Sequence, residues 1–252
     1  MRELELTWDF EAAIQDRCSE RLEPFEWGTA LFRLDMPRVH DQNLLRLESG
    51  FDVVGARELA AEADRLQRPA GLSHRKLLVP DERAGERLSR GFSELSWRRA
   101  RHVVMAHRGA SPDEPAHPVQ RVESAALRTA RTRAFEQDLG SGAAAQVAAS
   151  LDLIASVVRS ARGFAVETDG EFASWCVLYE ENGIGQVDDV VTAGRYRRRG
   201  FARAVVSAAT RASLESGNEI TFLVADDEDW PKQLYARLGY EPIGRRFEFT
   251  RL

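Results

Sequence analysis

The segment from Val190 to Arg203 constrains the fold more than any other part of the chain. Its sequence reads Val-Val-Thr-Ala-Gly-Arg-Tyr-Arg-Arg-Arg-Gly-Phe-Ala-Arg. The β-branched residues at its start favour a strand, and the small residues near its end allow a helix to begin. The first N–H groups of a helix have no partner within the helix, and the helix dipole favours negative charge there. A strand, an arginine-rich turn and a helix start therefore predict an anion site.

Residue size and charge narrow down which groups would bind the anion. Gly200 and Ala202 have little or no side chain, so an anion can approach the main chain closely. We expect Arg197 and the backbone N–H groups of residues 198–202 to bind it. The side chains of Arg195 and Arg203 are equally well explained as solvated.

Two motifs carry a resemblance to a known family. The segment Arg197–Ala202 resembles the acyl-CoA pyrophosphate loop of the GNAT N-acetyltransferase superfamily, Arg/Gln-x-x-Gly-x-Gly/Ala. Further on, Leu234–Tyr240 is similar to the Leu-Tyr-x-x-x-Gly-Phe element of that family. The two motifs occur in the family's order, and the resemblance covers roughly residues 117–252.

The resemblance implies a fold, a cosubstrate and a binding site. The implied fold is α/β (α+β), with a mixed, mostly antiparallel sheet, a splayed parallel pair of strands and helices on both faces. Acetyl-CoA is the implied cosubstrate, and a primary amine on a small molecule or a peptide is the implied acceptor. The implied cofactor-binding residues are Val190, Val191, Thr192, Arg197, Arg198, Arg199, Gly200, Phe201, Ala202 and Arg203.

Turn signals predict how the strands before the loop are connected. Asp169-Gly170 and Asn182-Gly183 separate three apolar runs, which predicts a three-strand antiparallel meander ending at Thr192. A helix over 201–216 then leads to a strand over 220–224, which we expect to lie parallel to the third strand of the meander. If the two parallel strands diverge, a pantetheine arm can pair with the exposed edge like an additional strand.

Tyr235 is the candidate catalytic acid. Acyl transfer from a thioester needs a proton for the leaving thiolate, and a phenol with a pKa near 10 is protonated at neutral pH. The match to the family element supports this role. The alternative is a core aromatic on a helix face beside Leu234 and Leu238.

Asp188 is the candidate base. Asp188 and Asp189 are adjacent on a predicted strand, so we expect their side chains to lie on opposite faces, with only one directed into the cleft. In the family, an acidic residue on this strand sometimes relays a proton through water. A contact to a substrate ammonium group and a solvated strand position are the alternatives.

The N-terminal part weakly echoes the C-terminal part. Leu77–Glu82 resembles Leu223–Glu228, and Gly91-Phe92 resembles Gly239-Tyr240. An internal duplication explains these echoes, and chance similarity between two α/β halves is the alternative. A duplication predicts a degenerate GNAT-like domain over 1–110, a proline-rich linker over 111–118 and a catalytic domain over 119–252. The segment Ser49–Ala56 would then stand in place of the arginine loop, and its acid would repel pyrophosphate.

Composition excludes several classes of function. A net charge of −5 argues against nucleic-acid binding by the arginine turn. Two distant cysteines and five scattered histidines predict no disulfide framework and no metal site. Without an apolar run of about 20 residues or a signal-like start, we expect a cytoplasmic protein without membrane contact.

Two hypotheses for the function follow. The first is an acetyl-CoA-dependent N-acetyltransferase that works by direct attack of the amine. The second is an acyl-CoA-binding or sensing module with an impaired active site. A monomer and a homodimer both remain open.

Overall fold

One continuous sheet organises the computed structural model, which describes residues 2–252. Its strand order is β1-β2-β3-β4-β11-β5-β10-β9-β8-β7-β6. The strands are β1 (Arg21–Phe25), β2 (Gly28–Phe32), β3 (Leu44–Leu47), β4 (Arg75–Val79), β5 (Arg98–His107), β6 (Gln120–Val122), β7 (Ser160–Thr168), β8 (Glu171–Glu181), β9 (Ile184–Thr192), β10 (Ile220–Asp226) and β11 (Tyr240–Arg251). The helices are α1 (Arg2–Cys18), α2 (Ala56–Gln67), α3 (Glu82–Glu94), α4 (Arg128–Leu139), α5 (Ser141–Val157), α6 (Phe201–Glu215) and α7 (Pro231–Arg237).

The predicted meander is confirmed. Strands β7, β8 and β9 pair antiparallel in succession. Both predicted hairpin dipeptides adopt positive φ: Asp169 at 57° and Gly170 at 74°, Asn182 at 53° and Gly183 at 77°. Two successive positive φ angles match the right-handed twist of the flanking strands, which explains why these dipeptides form tight turns.

The predicted parallel pair is also confirmed, and it is short. Strands β9 and β10 share only three register pairs, from Ile220↔Ile184 to Phe222↔Gln186. Beyond Phe222, β10 continues against β5, whereas β9 continues against β8. The edges of β9 and β10 that face each other therefore separate, and this is the splay that the family resemblance implied.

The helices lie on both faces of the sheet, as the predicted fold class requires. Alternation along β5 assigns the faces, because Val103 and Met105 pack with α6 and α7 whereas Val104 and Ala106 pack with α1. Helices α4 and α5 contribute to the same core as α1. We call the face that carries α6 and α7 the α6 face, and the opposite one the α1 face.

The two parts of the chain share the same order of elements. Strands β1, β2 and β3 are followed by α2, β4, α3 and β5, as β7, β8 and β9 are followed by α6, β10, α7 and β11. Strands β3 and β4 are parallel, like β9 and β10. The last strand of each part is exchanged, so that β5 pairs with β10 and β11 pairs with β4. Strands β5 and β11 pair with each other at the centre.

The sequence similarity between Gly91-Phe92 and Gly239-Tyr240 does not extend to their structures. Gly91 and Phe92 lie inside α3, whereas Gly239 follows α7 at a φ of 85° and Tyr240 begins β11. The similarity of these dipeptides is therefore local, because a helical glycine and a left-handed glycine have different conformational roles. The sequence reading also missed α1, which packs at the centre of the α1 face.

Candidate active site

A β-bulge in β9 opens the splay. The two steps of β8 from Trp175 to Val177 oppose the three steps of β9 from Val191 to Asp188. The extra residue is accommodated at Asp189, whose φ is 51°. A bulge bends its strand and increases the local twist, so the last residues of β9 turn away from β10.

The residues that follow the bulge line the separated edge. Val190 packs toward the α6 face and Val191 toward the α1 face. The Thr192 hydroxyl lies 2.8 Å from Ser174 Oγ, which also donates to the carbonyl of Val191 at 2.8 Å. The end of β9 is therefore held firmly by β8, while its other edge has no strand partner among residues 2–252.

The arginine turn leads into α6 through two left-handed residues. Arg198 has a φ of 64° and Gly200 a φ of 84°, and Gly200 is the N-cap of α6. The first helical hydrogen bond joins Ala204 N to Gly200 O, so the N–H groups of residues 201–203 have no partner within the helix. Phe201 contributes only its backbone N–H, because its side chain is buried in the core.

The arginines of the turn divide into engaged and free side chains. Arg195 forms an ion pair with Glu171 and lies 4.8 Å over the ring of Tyr196. The guanidinium of Arg199 also lies over the Tyr196 ring, 5.4 Å from its centroid. Arg197 is exposed and its Nε is 3.4 Å from the carbonyl of Thr192, a long contact that leaves its guanidinium available. Arg198 and Arg203 are exposed as well.

The linker contributes a residue to the loop that the sequence reading missed. The imidazole of His117 packs edge-on against Phe201, with ring centroids 4.8 Å apart. A Cβ atom added to Gly200 would approach His117 Nε2 to 3.3 Å. A donor from the proline-rich segment thus stands at the start of α6, and no sequence pattern at residue 117 signals this.

Tyr235 lies in the core of the α6 face. Two of its titratable neighbours, Cys176 and Asp188, belong to β8 and β9. Its residue surface is 7% exposed, and it packs in the same cluster as Leu238 and Tyr240. Burial raises the pKa of Tyr235, and the neighbouring Cys176 and Asp188 raise it further. The phenol is therefore protonated at every physiological pH, although the same shift makes it a weaker acid. Its burial is also what a core aromatic would have.

The two aspartates do not lie on opposite faces of the sheet, and the expectation of simple alternation is wrong. Asp189 Oδ2 accepts hydrogen bonds from Arg131 Nε of α4 at 2.7 Å and from Trp175 Nε1 at 3.1 Å. Asp188 is directly opposite Val177 of β8, which packs in the core of the α1 face, and residues paired in this way share a face. Helices α1 and α4 are on the same face, so both carboxyl groups face that side. The bulge inserts one residue and breaks the alternation.

Asp188 and Asp189 have different environments. Burial raises the pKa of Asp189 to about 7, although Arg131 opposes the shift. Burial also raises the pKa of Asp188, whose carboxyl has no side-chain hydrogen-bond partner within residues 2–252. Asp189 is engaged in a structural ion pair with Arg131, whereas the Asp188 carboxyl accepts a hydrogen bond only from the backbone of Asp189.

Comparison with known proteins agrees with this geometry. Residues 162–249 match the family model described as "FR47-like protein", and this range contains the splay, the arginine turn and Tyr235. A GCN5-related N-acetyltransferase from Kribbella flavida superposes with a TM-score of 0.62 at 18% identity, covering 95% of this chain and 92% of that chain. The chain has the GNAT fold. The full sequence has no match among curated proteins.

Further solved structures share this GNAT fold over nearly the full chain. A GCN5-related N-acetyltransferase from Sphaerobacter thermophilus has a TM-score of 0.62 at 15% identity, covering 96% of this chain and 84% of that one. A functionally unknown conserved protein from Staphylococcus epidermidis has a TM-score of 0.73 at 12% identity, covering 92% and 94%. Identities this low show the shared GNAT fold and do not carry an activity across. Within residues 2–252, no helix has the length and apolar character needed to cross a membrane.

Proposed function

We propose that this protein is an N-acetyltransferase that moves the acetyl group of acetyl-CoA to a primary amine of a small molecule or peptide. One observation carries the proposal: the splay between β9 and β10 lies directly before a helix start with unpaired N–H groups and free arginines. A diphosphate fits the helix start, and an amide-containing arm fits the open strand edge.

Residues of the arginine turn, β9 and the linker bind different parts of the cofactor. Arg197, Arg198, Arg199 and Arg203 supply positive charge, and the N–H groups of residues 200–203 supply donors. Val190, Val191 and Thr192 supply the main-chain edge for the pantetheine arm. His117 adds a donor from the linker.

Transfer proceeds by direct attack of the amine. The amine nitrogen forms a bond to the thioester carbonyl carbon and loses its proton to Asp188 or to water that Asp188 orders. The C–S bond then breaks, and Tyr235 donates a proton to the leaving thiolate. Burial raises the pKa of Cys176 well above its ordinary value, and its Sγ donates to the carbonyl of Val205 at 3.3 Å. A buried neutral thiol is a poor nucleophile, which disfavours an acetyl-cysteine intermediate.

The proposal assigns residues 1–110 to a degenerate GNAT-like domain, 111–118 to the linker and 119–252 to the catalytic domain. The helix start at α2 corresponds in order to that of α6, but Glu58 Oε2 accepts a hydrogen bond from Gly55 N at 2.8 Å. A carboxylate already occupies that N-terminus and would repel a diphosphate. This supports a scaffolding role for the first domain.

The second candidate function is an acyl-CoA-binding or sensing module without turnover. The burial of Tyr235 in the core of the α6 face favours it. The experiment that separates the two measures release of free CoA from acetyl-CoA against a panel of primary amines, with acetyl-CoA binding measured by calorimetry in parallel. Binding with amine-dependent CoA release supports the enzyme, binding alone supports the module, and no binding refutes both.

A further inference from the structure

One residue inside β9 has a backbone conformation that strands do not normally contain. Among residues 2–252, the positive φ angles outside glycine belong to turns, except that of Asp189, which lies within β9 at 51°. A left-handed conformation is costly for a residue with a Cβ atom, because that atom approaches the following carbonyl oxygen. The bulge therefore persists only if the surrounding contacts hold Asp189 in place.

An ion pair with α4 supplies those contacts. Asp189 Oδ2 accepts hydrogen bonds from Arg131 Nε at 2.7 Å and from Trp175 Nε1 at 3.1 Å. Arg131 is fixed in turn, since its Nη1 donates to the carbonyl of Ser124 at 3.0 Å and to Asp152 Oδ1 at 2.8 Å. Arg131 and Asp189 are both buried, so removal of either partner leaves the other without compensation.

The position of the bulge sets the orientation of the side chains that follow it in β9. Regular alternation from Asp188, on the α1 face, would direct Asp189 and Val191 to the α6 face. Val191 packs instead on the α1 face, and Val190 packs on the α6 face. The extra residue has thus shifted the alternation by one position.

The same shift decides which backbone groups reach the open edge of β9. Ala193 N donates to Ala173 O of β8 at 3.0 Å, so Ala193 directs its backbone groups to β8. Neighbouring residues of a strand direct their N–H and C=O groups to opposite edges, so those of Thr192 face the open edge. The contact of 3.4 Å between Arg197 Nε and the Thr192 carbonyl agrees with this orientation. A strand without the bulge would present the groups of Val191 there instead.

We propose that Arg131 is a positioning residue for the acyl-CoA donor, because its ion pair with Asp189 holds the bulge that aligns the backbone of β9 with the pantetheine arm. Arg131 acts through Asp189 and has no part in the chemical step. An edge that is ordered before the donor arrives binds it more tightly, because binding does not have to order the strand. The role in donor binding rests on the proposed acetyl transfer, whereas the control of the bulge by Arg131 does not.

Two double variants test this assignment, since both lack the ion pair and they differ in the backbone conformation that position 189 tolerates. Arg131→Met/Asp189→Gly allows a left-handed residue without the ion pair, because glycine has no Cβ atom. Arg131→Met/Asp189→Ala lacks both the ion pair and that freedom. In calorimetry, we expect the first to bind acetyl-CoA within about three-fold of the wild type and the second about ten-fold more weakly. Arg133→Met, at an exposed position of α4, is the control for the lost charge and should bind like the wild type.

Steady-state kinetics separate positioning from general damage to the fold. A displaced edge weakens the donor before the chemical step. In Arg131→Met/Asp189→Ala, the KM for acetyl-CoA should therefore rise about ten-fold, while kcat and the KM for the amine change less than about three-fold. A smaller fraction of folded protein would instead lower kcat and leave both KM values unchanged, and this result would contradict the assignment.

Amide hydrogen exchange of the segment 186–194 reports the bulge without any ligand. We expect faster exchange in Arg131→Met/Asp189→Ala than in Arg131→Met/Asp189→Gly. Equal exchange and equal acetyl-CoA affinity in the two double variants would overturn the role of Arg131. If exchange differs as expected but the wild type does not bind acetyl-CoA, the control of the bulge stands, and the donor role is refuted together with the proposed acetyl transfer.

Arg131→Lys serves if a double variant does not fold. It keeps the charge, but an ammonium group lacks the forked donors that reach Ser124, Asp152 and Asp189 together. We expect Arg131→Lys to weaken acetyl-CoA binding about three-fold and to speed exchange of the segment 186–194. Wild-type affinity together with wild-type exchange in Arg131→Lys would likewise overturn the assignment.

Discussion

Arg131 Nε donates a hydrogen bond to Asp189 Oδ2 at 2.7 Å. This ion pair holds the residue that forms the β-bulge of β9 at the candidate active site. The side chain of Arg131 is 0% exposed and that of Asp189 is 1% exposed. Arg131 also donates to Asp152 and to the carbonyl of Ser124, so its charge is satisfied from three sides. The pair fixes α4 to the strand that supplies the cofactor edge, across 58 positions of sequence.

The buried Asp189 predicts a distinctive dependence of stability on pH. Burial raises its pKa from 3.8 to about 7, so the folded state holds the proton more tightly than the unfolded state does. The contribution of Asp189 to the free energy of unfolding is therefore fully present below pH 4, and it is lost as the pH rises toward 7. At about 1.4 kcal/mol per pKa unit, the free energy of unfolding of the wild type should fall relative to Asp189→Asn by up to about 4 kcal/mol over that interval.

Urea denaturation of the two proteins at several pH values between 4 and 8 measures this difference. Asp138→Asn, at an exposed position of α4, controls for the loss of one negative charge. A wild-type-to-variant difference that stays constant with pH would mean that Arg131 keeps Asp189 ionised throughout.

Alanine substitutions at the two glycines that flank α6 separate the effect of backbone strain on stability from the effect of a Cβ atom on coenzyme A binding. Gly200 has a φ of 84° and Gly217 a φ of 77°, so alanine at either position costs roughly 1–2 kcal/mol of stability. A Cβ at Gly217 meets nothing within 4 Å, whereas one at Gly200 approaches His117 at the phosphate-binding end. We expect Gly200→Ala to weaken coenzyme A binding about ten-fold or more in calorimetry and Gly217→Ala to leave it unchanged. Equal affinities in the two variants would place the diphosphate elsewhere.

Tyr235→Phe should separate binding from turnover. Loss of a general acid typically lowers the rate by 10²–10⁴-fold. We therefore expect amine-dependent CoA release to fall at least 10²-fold, while the affinity for acetyl-CoA changes less than two-fold. The control is Tyr240→Phe, which removes a phenol hydrogen-bonded to Thr210 at 2.7 Å in the same core and should reduce stability by about 1 kcal/mol without this loss of rate. Unchanged turnover in Tyr235→Phe would assign the residue to the core alone.

Arg197 and Arg195 should differ in their effect on cofactor affinity. Arg197 is exposed with a free guanidinium, whereas Arg195 is paired with Glu171 and stacked on Tyr196. A charge-assisted hydrogen bond contributes about 1.5–3 kcal/mol, so Arg197→Ala should weaken coenzyme A binding ten-fold or more and reduce its salt dependence. Arg195→Ala should change the affinity less than three-fold. A larger loss in Arg195→Ala would contradict this assignment.

Local sequence signals predicted those parts of the fold that depend on backbone conformation. Asp169-Gly170 and Asn182-Gly183 indicated tight hairpins because few residues adopt positive φ at low cost, and the structure has positive φ at all four. The turn before Phe201 indicated a helix start with exposed donors for the same reason. Gly200 is left-handed and directly precedes Phe201, the first residue of α6.

The contacts that assemble the site could not be predicted in this way. Helix α1 has no motif, yet its Glu11 reaches Gln186 across 175 positions. His117 stands in a proline-rich segment and reaches the loop only because that segment passes the start of α6. Such contacts arise from packing between distant elements, and no local pattern encodes them.

The sequence by itself determined the strand–turn–helix unit of the arginine loop, the meander before it and the parallel strand after it. Each of these follows from residues close together in the chain, through φ preferences, hydrophobic periodicity and unpaired helix-end donors. Only the tertiary structure decided the bulge at Asp189, the shared face of Asp188 and Asp189 and the exchange of β5 and β11. These features depend on which buried groups meet, and burial is a property of the assembled sheet and helices.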